Sequence, residues 1–182
     1  MWYNYAMGRK ILLGVTGSIA AYKSAELVRL FVRDGDEVVV AMTPAATEFV
    51  APLTFQTLSR NPVHIDSFER PAGWRPDHVS LAEWADVALV APATANTLAK
   101  MAYGFADNLL TSLLLATRAK IAVAPAMNVG MWENPVTQGN IDTLRSRGVA
   151  VIGPGTGELA CATTGAGRLA DPVEIFNAVK EL

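Results

Sequence analysis

Among its 182 residues the sequence has a single cysteine, Cys161, so it forms no disulfide within the chain and builds no cysteine-based structural zinc site. It also lacks any uninterrupted apolar run of about 18 residues, the length a membrane-crossing helix needs. The stretch 85–93 is only strand length. An excess of charge of either sign is missing too: 15 Lys and Arg stand against 17 Asp and Glu, giving a formal net charge of −2 and a pI near 5.7. That balance offers no electrostatic reason to bind nucleic acid or an anionic membrane, and points to a small molecule as partner. Residues 1–10 carry their basic residues only at the end of the stretch, without the order of a secretory signal peptide, so a cytoplasmic protein is expected. There is no internal repeat and no low-complexity tract.

What the sequence has in quantity is apolar surface. Hydrophobic residues make up 51% and charged ones 18%, with a mean hydropathy of +0.26. A chain of this length buries one sizeable core, so residues 9–182 read as one domain behind an N-terminal extension, 1–8. Part of the apolar excess can lie in subunit interfaces.

Apolar runs of strand length alternate with stretches of helical spacing. Strands are expected at 10–15, 37–42, 86–91, 119–124 and 149–152. Helices are expected from Ile19 to the Asp34-Gly35-Asp36 break, then at 97–117, 133–147 and 173–182. Strands without clean alternation, separated by helices, predict a three-layer, doubly wound parallel sheet of the Rossmann-like α/β class. Residues 67–77 and 153–171 break this rhythm. The second stretch reads as a long loop rich in glycine and threonine, of a kind that usually carries function.

In such a sheet, ligands lie beyond the carboxyl ends of the strands. The candidates there are Gly17-Ser18, Thr43, the run Pro92-Ala93-Thr94-Ala95-Asn96-Thr97 and the run Pro125-Ala126-Met127-Asn128. Gly17-Ser18 opening a helix offers N–H groups, a hydroxyl and a positive dipole end, a setting suited to phosphate. Taken singly, each has a plainer reading. Ser18, Thr94 and Thr97 could be helix caps, Asn96 and Asn128 turn residues, Met127, Met131 and Trp132 core, and His78 a capping or surface residue. Cys161 lies in the long loop as Gly157-Glu158-Leu159-Ala160-Cys161. Nearby Arg168 could pair with a phosphate or carboxylate, or lower the thiol's pKa.

Together these segments resemble the homo-oligomeric flavin-containing cysteine decarboxylases. Gly17-Ser18-Ile19-Ala20-Ala21-Tyr22-Lys23 is similar to that family's first flavin loop, and His78 stands where it has an active-site histidine. Pro92 to Thr97 is similar to its Pro-Ala-Ser-Ala-Asn-Thr motif, with Thr94 for serine. Pro125 to Trp132 matches its Pro-x-Met-Asn-x-x-Met-Trp motif, and 157–168 resembles its substrate clamp, with Ala162 where the clamp usually has glycine.

The resemblance implies FMN as cofactor, held by Gly17, Ser18, Ile19, Thr43, Thr94, Ala95, Asn96, Thr97 and Ala126. It implies a homotrimer that can stack into a dodecamer. The implied reaction is the redox-neutral decarboxylation of 4'-phosphopantothenoylcysteine to 4'-phosphopantetheine in coenzyme A biosynthesis. In that scheme the cysteine is oxidised to a thioaldehyde, loses carbon dioxide, and is reduced again. The implied roles are His78 as base or proton shuttle, Asn128 as carboxylate anchor and Cys161 as proton donor, with Met131, Ala160 and Arg168 also on the substrate. Two alternatives stay open: an oxidative decarboxylase of peptidyl-cysteine, lanthipeptide-type, which would not need Cys161, and a non-catalytic flavin-binding regulatory subunit, which in this fold carries an added acidic tail.

Overall fold

The computed structural model describes residues 8–65, 77–158 and 164–182. Its frame is a set of short apolar strands: β1 (Lys10–Val15), β2 (Glu37–Met42), β3 (Val63–His64), β4 (Val87–Ala93), β5 (Lys120–Pro125) and β6 (Ala150–Val151). They lie in the order β3-β2-β1-β4-β5-β6 with every neighbouring pair parallel. The strand order reverses between β1 and β4, and the crevice of a doubly wound sheet opens at that point.

Nine helices among the described residues connect and cover these strands: α1 (Ser24–Asp34), α2 (Pro44–Thr47), α3 (Pro52–Ser59), α4 (Asp77–Trp84), α5 (Ala95–Tyr103), α6 (Leu109–Ala116), α7 (Val129–Trp132), α8 (Pro135–Ser146) and α9 (Pro172–Lys180). Alternate residues of each strand face opposite layers. Ile11, Leu13 and Val15 pack with Phe31 of α1, Phe55 of α3 and Ile175 of α9. Leu12, Val39 and Ala41 pack with Ala82 of α4, Leu98 of α5, Leu110 of α6 and Ile141 of α8. Full burial of a Leu, Ile or Phe side chain contributes about 1.5–3 kcal/mol, so a sheet buried on both faces gives this chain its core. Among the described residues no helix is long and apolar enough to cross a membrane.

The expected strands and the three-layer class hold, and β1 and β2 have the expected ends. The helix expected over 97–117 is two helices. Gly104 takes the left-handed conformation, φ 74°, and ends α5. Asn108 then starts α6 with a capping box to Thr111. The stretch 153–171 is not structureless, because β7 (Gly155–Glu158) and β8 (Thr164–Arg168) form an antiparallel hairpin. The short elements α2, α3, β3 and α7 were not expected from periodicity, since each is too short or too polar to show one. Most of the irregular stretch 67–77 falls outside the described residues.

Candidate active site

The loops after β1, β2, β4 and β5 are joined into one rim. The Thr43 N–H donates to the Val15 carbonyl at 3.0 Å, tying the β2 end to β1. Thr16 ties β1 to β4: its hydroxyl donates to the Pro92 carbonyl at 2.6 Å and accepts from the Thr94 N–H at 3.1 Å. The Ala126 N–H donates to the Ala93 carbonyl at 3.1 Å, and the Met127 N–H to the Gly167 carbonyl at 2.9 Å. The rim therefore runs from β2 across the switch point to the hairpin.

The loop after β1 enters a 3-10 turn, Ile19–Lys23, capped by Ser18, whose Oγ accepts from the Ala20 N–H at 3.3 Å. Gly17 allows this turn to lie against the start of α2, because a Cβ there would stand 2.6 Å from the Ala45 Cβ. Beside it the Thr43 hydroxyl is buried without a hydrogen-bond partner, the one such hydroxyl among the described residues. An unpaired buried hydroxyl costs about 1–3 kcal/mol, which a polar group bound at this point would recover. Across the crevice, Thr94 caps α5 with Oγ1 3.4 Å from the Thr97 N–H and 3.2 Å from the Thr97 hydroxyl. Hydroxyls, a glycine turn and helix starts gathered along one rim suit a phosphorylated cofactor.

On the other side Asn128 caps α7, its Oδ1 accepting from the Gly130 N–H at 2.9 Å. The hairpin sits on this segment through its glycines. A Cβ at Gly167, φ 137°, would lie 2.4 Å from the Met127 carbonyl oxygen, and one at Gly165 would lie 2.8 Å from Val129 Cγ2. Close backbone approach thus brings the hairpin base onto Met127–Val129. The base also carries positive charge near the first loop. Burial holds the Lys23 ammonium below the usual lysine range, the Arg168 guanidinium adds to that effect, and Asp171 and Glu26 oppose it.

Of the expected site residues, Gly17, Ser18, Thr43, Thr94, Thr97 and Ala126 lie along the rim. Ala95 and Asn96 open α5, and Ile19 opens the 3-10 turn with 59% of its surface exposed. Met131 is 49% exposed on α7, and Arg168 ends β8. His78 is in the first turn of α4, which leads into the amino end of β4, so its first turn lies toward the carboxyl side of the sheet. Cys161, Ala160 and Ala162 lie outside the described residues. The reading of the residues passed over Thr16 and Ser24, which are buried and hydrogen-bonded to the β4 end; a hydroxyl residue directly after an apolar strand is the only signal the sequence gives of Thr16.

The six-stranded parallel sheet, covered by helices on both faces and changing direction between β1 and β4, defines a Rossmann-like α/β protein. The model of the flavoprotein family matches residues 4–182, and the chain belongs to that family. It is 50% identical to the coenzyme A biosynthesis bifunctional protein CoaBC of Vibrio cholerae, over 92% of this chain and 42% of that protein. The chain spans about two fifths of the length of the first curated relatives it matches. The probable phosphopantothenoylcysteine decarboxylase of Streptococcus mutans is 47% identical over 96% of this chain and 99% of that one. Among solved structures, a PPC decarboxylase variant complexed with pantothenoylaminoethenethiol superposes with a TM-score of 0.85 at 34% identity, covering 96% of this chain and 97% of that one. The FMN binding protein AtHal3 gives 0.82 at 34% identity, with 95% of each chain covered.

Proposed function

We propose that this protein binds FMN and decarboxylates 4'-phosphopantothenoylcysteine to 4'-phosphopantetheine. The observation that carries the reading is the continuous rim. It joins the loops after β1, β2 and β4, with the buried, unpaired Thr43 hydroxyl among them, to the Met127–Asn128 segment on which the glycine hairpin rests. A cofactor and a thiol substrate held on these two sides would meet at the ends of β4 and β5. The relative of matching length and the superposing decarboxylase variant support the same chemistry.

In this reading Gly17 and Ser18 would hold the FMN phosphate, with Thr43, Thr94, Asn96 and Ala126 around the flavin and Ile19, Ala95 and Thr97 beside them. FMN supplies reversible two-electron redox chemistry at the substrate carbon. The protein's own groups position the substrate and move protons. Asn128 anchors the carboxylate, and Met131, Ala160 and Arg168 enclose the rest of the substrate. His78 takes the proton released on thiol oxidation. Cys161 returns a proton after carbon dioxide has left. The domain spans 9–182, with 153–171 as the substrate clamp. The exposed apolar side chains Ile19, Tyr22, Phe49 and Leu53 fit assembly into a homotrimer or a stacked dodecamer. The working compartment is the cytoplasm.

Reconstitution with FMN followed by addition of phosphopantothenoylcysteine tests the reading. A flavin absorbance that stays with the protein through gel filtration and a release of carbon dioxide are expected. Protein that retains flavin but releases none would be a binding protein, and protein that retains none would refute the cofactor assignment.

A further inference from the structure

The edge of β4 next to β1 loses its regular pairing just before the rim. Pairing with β1 ends at Gly14 and Val90, and on the opposite edge the β4–β5 register shifts between Val90 and Ala93, so Ala91 and Pro92 have no partner in either ladder. Two buried hydroxyls take their carbonyls: Ser24, 0% exposed, donates to the Ala91 carbonyl at 2.6 Å, and Thr16, 1% exposed, donates to the Pro92 carbonyl at 2.6 Å. The two are not equivalent. The Ser24 bond ends inside β4, whereas the Thr16 hydroxyl also accepts from the Thr94 N–H and so fixes the first residue of the turn that caps α5. Thr16 directly precedes Gly17-Ser18, so one hydroxyl sets the spacing between two loops on opposite sides of the switch point.

We propose that Thr16 is a positioning residue for the cofactor, acting through Thr94: it holds the α5 cap and the loop after β1 at the separation that FMN bridges. This rests on the FMN reading above, and the test keeps the two apart because unmodified protein is titrated first. FMN affinity is read by fluorescence quenching, and apo stability by thermal unfolding, for T16V, T16S, T94A, T16V/T94A and S24A. T16V keeps the side-chain volume but loses both bonds, and its FMN affinity falls about tenfold or more, while T16S stays within about threefold. S24A loses one buried hydrogen bond of the same length where T16V loses two, so its apo stability falls too, by less than that of T16V, yet its FMN affinity stays within about threefold. T94A removes the cap hydroxyl but keeps the N–H that Thr16 holds, so in the double-mutant cycle T16V costs less affinity once the cap is gone, since both act on one turn. If T16V does not fold, T16A removes the same two bonds without adding a methyl in place of the hydroxyl and carries the same expectation. Affinity within about threefold of the unmodified protein in T16V or T16A, equal affinity losses in T16V and S24A, or full additivity with T94A would each overturn the proposal. Failure of the unmodified protein to bind FMN would instead overturn the reading on which it rests.

Discussion

The loop after β1 and the β7–β8 hairpin are both fixed to neighbouring strand ends, but by opposite means. The first is held by side chains: the Thr16 and Ser24 hydroxyls replace lost ladder bonds at 2.6 Å each. The second is held by the lack of them, since Gly165 and Gly167 let the β8 backbone settle onto Met127 and Val129. A side-chain clasp loses strength when a hydroxyl is removed, and a glycine seat loses its fit when a methyl is added. If the first region serves the cofactor and the second the substrate, these two kinds of damage should separate in the kinetics.

The largest effect is expected from Gly167→Ala. Its Cβ would stand 2.4 Å from the Met127 carbonyl oxygen at a φ of 137°, so the hairpin must lift from its seat. Decarboxylation should drop about 100-fold or more, the scale set by an ångström of misplacement at a reacting centre, with FMN binding little changed. Steady-state turnover beside a flavin titration checks this, and equal losses in both would erase the division between the regions. Gly17→Ala strikes the other side. Its Cβ would meet the Ala45 Cβ at 2.6 Å and the Ala45 carbonyl oxygen at 3.1 Å, so overpacking should weaken FMN about tenfold, read by equilibrium dialysis.

A smaller change follows from Thr94→Ala, which removes the α5 cap. A lost cap costs about 1 kcal/mol, or roughly 2–4 °C in the melting temperature of a chain this size, measured by calorimetry of the apo protein. The smallest concerns Lys23, whose folded-state pKa is lowered, by burial first and Arg168 second, from the ordinary lysine value of 10.5. Between the lowered value and 10.5 the unfolded chain binds more protons, so this group's contribution to stability rises with pH across that window. Lys23→Met should abolish that rise: the melting temperature of the unmodified protein gains on that of the variant across the window, and their difference stays constant below it and above it.

The sheet was legible because its strands are bounded by sharp local signals, such as Thr16-Gly17 after β1 and Asp34-Gly35-Asp36 before β2. The division of 97–117 into two helices was hidden because the apolar spacing Leu98, Met101, Ala102, Phe105, Leu109 runs across Gly104 and Asn108, whose effects are confined to the backbone at the break. The hairpin was hidden for a related reason. Thr164 to Gly167 shows no alternation of apolar and polar residues, and its pairing depends on backbone contact that a sequence pattern does not display. The motifs placed Thr94, Ala126 and Asn128 correctly along the strand ends. They could not show Thr16 as the bond between the loops, because a threonine after a strand reads the same whether it faces solvent or a carbonyl 76 residues away.

In the proposed reaction His78 serves the oxidation and Cys161 the later reduction, and a single turnover of Cys161→Ser tests that division most directly. Flavin absorbance and product mass are followed after mixing FMN-loaded protein with phosphopantothenoylcysteine. A proton donor used only after carbon dioxide has left takes no part in the earlier transition states. Cys161→Ser should therefore release carbon dioxide and bleach the flavin, then stall with an enethiol two hydrogens lighter than phosphopantetheine, whereas His78→Asn should leave the flavin oxidised. Fully reduced phosphopantetheine formed by Cys161→Ser at the unmodified rate would contradict the account.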